Sequence, residues 1–359
     1  MMHRTVLAWA MCLFSCACSW GAEEPSAFAV LIEDAVREAY IPGGLAGVYR
    51  QPSAHQVAAM RALVRDCHLQ AAQGGIAAQR DEFARRAGAM GFVFERIKAD
   101  GRVAWMIREA GDGHGGGIYL IADRFAHAVI VQAPHARTDR HSEKLAARIF
   151  AAGEFAALHA GTISRYAELP AEGSDHGASD LCHNSANFMH GAMQGAADAF
   201  PHALVVQLHG YAARDEGALA TAAAVVSDGT MEPGLVAVQC FAELLARWQS
   251  YQPVLHGRDV TELGGTTNHQ GAWLRLFADD AFIHLEMAPP IRERMLIDHD
   301  LLVTTTEALA LVAQRYAAQA ERPAAGASNA APADPEDEPV QPDAMQPDAN
   351  EAPPASDPG

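Results

Sequence analysis

The sequence predicts an α/β protein: a mostly parallel or mixed sheet with helices on both faces, preceded by a helical N-terminal region. Three observations carry this. Short apolar runs alternate with helix-length segments from residue 117 to 321, the pattern of strands joined by helical crossovers. Some runs are apolar almost throughout, such as Ala203-Leu204-Val205-Val206-Gln207-Leu208, as strands covered on both faces are. The chain has 359 residues, 50% of them hydrophobic and 19% charged, enough for one large domain or two small ones.

The elements follow in order. Residues 28–40 carry apolar positions at helical spacing and stop at Ile41-Pro42-Gly43-Gly44. Residues 56–73 repeat the pattern and end at Gly74-Gly75, and 77–89 form a third helix broken by Gly91. Residues 92–94 and 103–107 read as short strands around the turn Ala99-Asp100-Gly101. Then come strands at 117–121 and 126–131, a helix at 142–152 with Ser142 as its N-cap, and a run at 155–160. A helix at 188–200 precedes a strand at 203–208. Residues 235–238 read as a strand, 241–248 as a helix, 281–285 as a strand and 304–321 as a long helix.

The two ends read differently. Residues 1–22 have a basic start, an apolar stretch and small residues near Gly21 and Ala22, the layout of a secretory signal peptide. Leu13-Phe14-Ser15-Cys16 resembles a lipobox and makes Cys16 a candidate for a lipid anchor. The expected location is therefore periplasmic or extracellular. From Pro323 the chain holds nine of its 19 prolines, eight acids and no basic residue, a composition that cannot offset ordering entropy. The expected organisation is a leader at 1–22, a helical region at 23–110, an α/β domain at 111–322 and a disordered tail at 323–359.

Composition excludes several functions. The formal charge is −18, with no basic stripe to neutralise phosphates, so no nucleic-acid partner is expected. No apolar run is long enough to span a membrane. Outside the leader only Cys67, Cys182 and Cys240 remain. Their spacing fits no cysteine-based zinc site. Gly111-Asp112-Gly113-His114-Gly115-Gly116 matches G-x-G-x-x-G in letters, but it precedes a strand instead of joining strand to helix. There is no G-x-S-x-G, no H-E-x-x-H and no Walker A motif.

Three strand ends carry chemistry. The first is Gln132-Ala133-Pro134-His135, with Asp139 four residues later. The second is Gln207-Leu208-His209-Gly210, and the third Phe282-Ile283-His284-Leu285-Glu286. Open α/β sheets bind ligands beyond the carboxyl ends of their strands. Two imidazoles and a carboxylate leave one coordination position free, the pattern of catalytic zinc. Such an ion lowers the pKa of water and polarises carbonyls. Glu286, ending an apolar strand, suits a general base.

The stretch from Pro134 to Ala146 resembles the first metal motif of poly-γ-glutamate hydrolases and N-formylglutamate amidohydrolases. Gln207-Leu208-His209-Gly210 is similar to their third-ligand motif, and Phe282 to Met287 with Ile291-Arg292 to their late motif. The order matches zinc carboxypeptidase-like hydrolases more broadly. The resemblance implies His135, Asp139 and His209 as zinc ligands and Glu286 as general base. It departs at Asp139, which is shorter and earlier than the family's usual glutamate, and this makes Glu143 a rival. Arg165 looks like the family's substrate-side arginine. Arg137, Arg140 and Arg292 are further candidates for a substrate carboxylate, since a guanidinium meets one bidentately.

These readings give a zinc-dependent hydrolase of an amide bond next to a carboxylate: γ-glutamyl, N-acyl-glutamate or cell-wall peptide. The alternative is a non-catalytic envelope binding protein on the same scaffold. A third reading uses Cys182 with His183 or another histidine as a nucleophile pair. Ser179 to Asn184 with His190 form a polar cluster that could orient a metal-bound histidine or line the substrate. The loop 264–271 is placed on the rim.

Overall fold

One mixed sheet organises the described residues of the computed structural model, which are 24–41, 47–111, 113–170, 172–277 and 281–320. The expected leader with Cys16 and the expected tail from 323 lie outside them. The strands are β1 (Phe92–Ala99), β2 (Arg102–Glu109), β3 (Ile118–Ala122), β4 (His127–Ala133), β5 (Phe155–Ala160), β6 (Leu204–Gly210), β7 (Ala224–Ser227), β8 (Pro253–Leu255) and β9 (Phe282–Met287). Their order is β1-β2-β3-β5-β4-β6-β9-β7-β8. The block β5-β4-β6-β9 is parallel. β3 runs antiparallel to β5, and β7 antiparallel to β9. The β1–β2 hairpin continues the sheet through β3, so residues on both sides of position 110 share it.

The helices are α1 (Ala27–Ala39), α2 (Ala54–Ala72), α3 (Arg80–Gly88), α4 (Ser142–Ala152), α5 (Phe188–Ala199), α6 (Leu235–Arg247), α7 (His269–Phe277), α8 (Pro289–Ile297) and α9 (His299–Ala320). α1, α4, α6, α8 and α9 pack on one another, as do α2, α3, α5 and α7, so the sheet is covered on both faces. β3 and β5 are accordingly buried along their whole length, as strands between two helical layers must be.

Two expectations need correction. Residues 235–238 open helix α6, not a strand. Val236, Ala237, Cys240, Phe241 and Leu244 are its buried positions, a 3.6-residue stripe that a four-residue apolar run cannot reveal. Ser142 is the first residue of α4, not its cap. The cap is His141, held at φ 76°, and the Ser142 hydroxyl is buried without a hydrogen-bond partner. β7, β8 and α7 add to the expected elements.

Helices α2 and α5 approach each other backbone to backbone. A Cβ on Gly195 would lie 2.2 Å from the Arg61 carbonyl oxygen, and one on Gly191 2.6 Å from that of Val57. Backbone cannot yield as a flexible side chain can. Gly195→Ala is therefore expected to cost about 1–3 kcal/mol by overpacking. A lower urea midpoint at unchanged slope would register it; an unchanged midpoint would show that the helices separate freely.

β4 is where the sheet changes direction of growth. The chain leaves β4 through α4 to β5 on one side, and β6 then pairs on the other. Such a reversal opens a crevice at the carboxyl ends of the strands.

Candidate metal centre

Register places the polar residues in rows. His209 pairs with Glu286, and Gln207 with His284. Gln207 also pairs with Gln132, and Gln132 with His159. Side chains alternate along a strand, so Gln207 and His209 share a face with His284 and Glu286. The intervening Val206, Leu208, Ile283 and Leu285 are buried on the other. The loop after β4 adds His135 and Asp139, and the turns before α5 add Asp180 and Cys182, all buried.

The three expected ligands meet. Asp139 Oδ2 lies 3.0 Å from His209 Nδ1 and 3.4 Å from His135 Nδ1. Donors around a four-coordinate zinc with bonds near 2.0–2.2 Å stand about 3.3–3.6 Å apart; the His135 separation falls in this range, and the His209 separation is the shorter length of a hydrogen bond.

The amide orientations can be traced from a backbone donor. The Gly271 N–H can only donate, and it meets Asn268 Oδ1 at 3.0 Å. Asn268 therefore turns its NH2 to Gln207 Oε1, at 2.5 Å. That oxygen in turn accepts from His209 Nε2 at 2.9 Å. His209 thus stands between two acceptors, Gln207 Oε1 at Nε2 and the Asp139 carboxylate at Nδ1, and as an imidazolium it donates to both. His135 behaves alike. Its Nε2 meets Asp180 Oδ1 at 2.9 Å, and its Nδ1 lies 3.4 Å from Asp139 Oδ2 and from Arg165 Nη1. Two imidazole Nδ1 atoms converge on one carboxylate oxygen, an arrangement that protons on the rings satisfy and that a metal ion in their place would satisfy too.

The electrostatics agree. Burial alone would depress His209, but Cys182 and the hydrogen bond to Asp139 push it up to about 9. Burial also opposes charge on His135, yet Cys182, Asp139 and Asp180 hold it well above its ordinary value. Burial would raise Asp139, and the two imidazoles keep it far below the usual carboxylate range. A metal ion would compete with these protons for the ring nitrogens. Asp180 on His135 and Gln207 on His209 are the acceptors that ligating imidazoles use to fix their orientation. The donor set therefore fits zinc.

Glu286 borders the same space. His209, His284 and Glu286 offer donor atoms all within 4.8 Å of one another. Burial, then the Asp139 charge, pushes the Glu286 carboxyl up to about 7, with His209 and His135 in partial opposition. Its Oε2 is buried without a hydrogen-bond partner. Glu143 is not a rival ligand here: from the first turn of α4 it accepts the Arg137 N–H at 3.2 Å.

The four expected arginines are all engaged. Arg165 binds Asp180 through Nε and Nη2 at 3.0 and 2.6 Å, and its Nη1 lies 3.4 Å from His135. Arg292 is buried and donates to the carbonyls of Arg140 and Tyr211 at 2.5 and 3.0 Å. Arg137 is exposed over the Tyr40 ring at 5.4 Å, and Arg140 faces Glu293 at 3.6 Å. Of the four, only Arg165 touches a histidine of the centre. Arg214, which sequence reasoning passed over, makes no ion pair among the described residues. It lines a cavity of about 180 Å³ with Tyr211, Leu219, Tyr251 and Ile291. Tyr211 and Ala288 in that wall lie just beyond His209 and Glu286 in the chain.

Sequence reasoning underused two residues and misplaced others. Cys182 faces His209, with Sγ 3.8 Å from Nε2, and not its neighbour His183. His135, Cys182 and His209 form another group of donors within 4.8 Å. His284 was in a motif but had no role; its position two residues before Glu286 was the available signal. The loop 264–271 is divided: Thr266, Thr267 and His269 are exposed, whereas Asn268 and Gln270 are buried, and His269 to Gly271 begin α7. His190 hydrogen-bonds Gln194 on α5, away from the centre.

No protein-family model matches the chain, and no curated protein is similar to it. Among solved structures it is similar to N-formylglutamate amidohydrolase from Ralstonia eutropha JMP134, at 16% identity over 54% of this chain and 94% of that one, with a TM-score of 0.34. It is also similar to a bacteriophage poly-gamma-glutamate hydrolase, at 14% identity over 55% and 87%, TM-score 0.31. Bovine thrombin-activatable fibrinolysis inhibitor matches at 9% identity over 68% and 96%, TM-score 0.34.

Proposed function

We propose that this protein is an exported, zinc-dependent hydrolase of an amide bond next to a carboxylate, with γ-glutamyl, N-acyl-glutamate or cell-wall peptides as the substrate class. The observation that carries the reading is the convergence of the His135 and His209 Nδ1 atoms on one oxygen of the buried Asp139. His135, Asp139 and His209 would hold the ion. When bound, it would supply a Lewis acid and an activated water to the pocket.

The chain's own residues do the rest. Asp180 and Gln207 hold the imidazoles in register. Glu286 has a raised proton affinity and a free oxygen, so it can take a proton from a water in the pocket and return it to the leaving amine. The cavity beside Tyr211 suits the carboxylate-bearing end of the substrate. Arg214 is the cation that lines it.

The test is zinc content and turnover together. The purified protein should carry zinc and hydrolyse members of an N-acyl-glutamate and γ-glutamyl panel. Activity should vanish on chelation and return with zinc. A metal-free protein without turnover would favour the envelope binding reading.

Cys182, His209 and Asp139 also form a thiol–imidazole–carboxylate row, the arrangement of an activated nucleophile. Burial opposes ionisation of this thiol, but His135 and His209 hold it below its ordinary value; its Sγ also lies 3.5 Å from Gln207 Oε1. Cys182→Ala is expected to retain turnover within about tenfold, whereas removal of a nucleophile costs several orders of magnitude. Complete loss with zinc still bound would replace the metal mechanism with a thiol one.

A further inference from the structure

We propose that His176, Asp180 and His183 form a second, exchangeable site for a zinc-class transition metal ion, separate from the candidate centre. The proposal goes beyond the hydrolase reading and does not depend on it, because this group shares none of the three ligands assigned above. One nitrogen or carboxylate oxygen from each of the three residues lies within 4.8 Å of the other two.

The three residues come from the turns before α5, and Asp180 is their anchor. Its Oδ2 lies 3.5 Å from His176 Nδ1, and its Oδ1 lies 3.1 Å from His183 Nδ1. The first separation falls within the about 3.3–3.6 Å between two ligands of one zinc. The second is short enough for a hydrogen bond, yet His183 Nδ1 is buried with no hydrogen-bond partner. Burial has removed its water without supplying a replacement, which calls for an explanation. The two imidazoles stack face to face, with centroids 3.6 Å apart and planes 6° from parallel. Both therefore bring Nδ1 to the same carboxylate. Protons on both rings would set like charges side by side, whereas one divalent ion would serve both nitrogens and the carboxylate. His183 Nε2 lies 3.1 Å from Thr267 Oγ1, the kind of outer partner that fixes a ligating imidazole.

The donor set and its surroundings fix the class of ion and the strength of the site. Two imidazoles and a carboxylate suit zinc, nickel or copper, and not magnesium or calcium. The site opens on one side, since the His176 side chain is 30% exposed against 15% for His183 and 3% for Asp180. Asp180 also has other partners: Oδ2 binds Arg165 at 2.6 Å, and Oδ1 meets His135 Nε2 at 2.9 Å. The guanidinium opposes a further cation, so the ion is held more loosely than at the candidate centre. It is lost on gel filtration, and the zinc content of the purified protein reports the candidate centre alone.

The experiment is calorimetric titration of the metal-free full chain with Zn²⁺, with a circular dichroism spectrum to establish that each variant is folded. The wild type should show two binding events, one tight and one weaker. His209→Ala should lose the tight event and keep the weaker one. His176→Ala and His183→Gln should each weaken the second event by at least about 10–100-fold, the loss that even an outer-shell partner brings. Mg²⁺ should not reproduce it. A weaker event that is absent from the wild type, unchanged in either folded variant, lost together with the tight event in His209→Ala, or matched by Mg²⁺ would overturn the proposal. If the weaker event behaves as stated but the wild type shows no tight one, the hydrolase reading loses its metal and the second site stands.

Discussion

His209→Ala is expected to abolish zinc binding and to lower kcat/KM by at least about a thousandfold, or about 4 kcal/mol of transition-state stabilisation. The size follows from three losses at once. The substitution removes one imidazole donor, leaves Asp139 facing only His135, and deprives Gln207 Oε1 of one of its donors. Metal analysis of the folded variant beside the wild type measures the first, and steady-state kinetics the sum. Zinc retained at full occupancy in His209→Ala would remove this histidine from the centre. Because His209 is buried beneath the strand ends, a circular dichroism spectrum of the variant has to accompany the result.

The second large effect belongs to Glu286. Glu286→Gln keeps the shape but cannot take a proton, and is expected to lower kcat by about 10²–10⁴-fold with zinc still bound. The pH profile carries the same assignment. Burial raises this carboxyl to about 7 in the metal-free site, and only the ionised form can act as base. Turnover should therefore rise with pH along an acidic limb and level off above it. A bound cation stabilises the carboxylate, so in the zinc enzyme the limb should lie below 7.

Stability gives an independent check with the opposite sign. A carboxyl raised on folding stabilises the folded state fully below its unfolded value and loses that contribution as pH rises through about 7. The neutral amide in Glu286→Gln does not ionise. Metal-free Glu286→Gln should thus melt above metal-free wild type at pH 8, with the gap closing toward pH 4. Equal melting at both pH values, or a limb unmoved in the glutamine variant, would show that Glu286 is not the titrating group.

Much of the framework was legible in the chain. Strands such as β6 and β9 declare themselves because a run covered on both faces must be apolar. His135, Asp139, His209 and Glu286 stood out because polar groups at the ends of such runs need a reason to be buried. α6 was misread at its start because four apolar residues cannot distinguish a strand from a helical turn. The arginines were overread for a related reason. A guanidinium in a motif looks free, but its partners come from other elements, as with Asp180 for Arg165 and Glu293 for Arg140.

By itself, then, the sequence determined the alternation of strands and helices and the residues at three strand ends, since both follow from local patterning along the chain. Only the tertiary structure decided that these ends meet at one crevice, that Asp139 stands between two imidazoles, and that Asp180, Gln207 and Asn268 orient them. The physical reason is that hydrogen-bond direction and burial depend on groups distant in the chain. Asn268 lies 61 residues from Gln207, and nothing local to either position records that one must donate and the other accept.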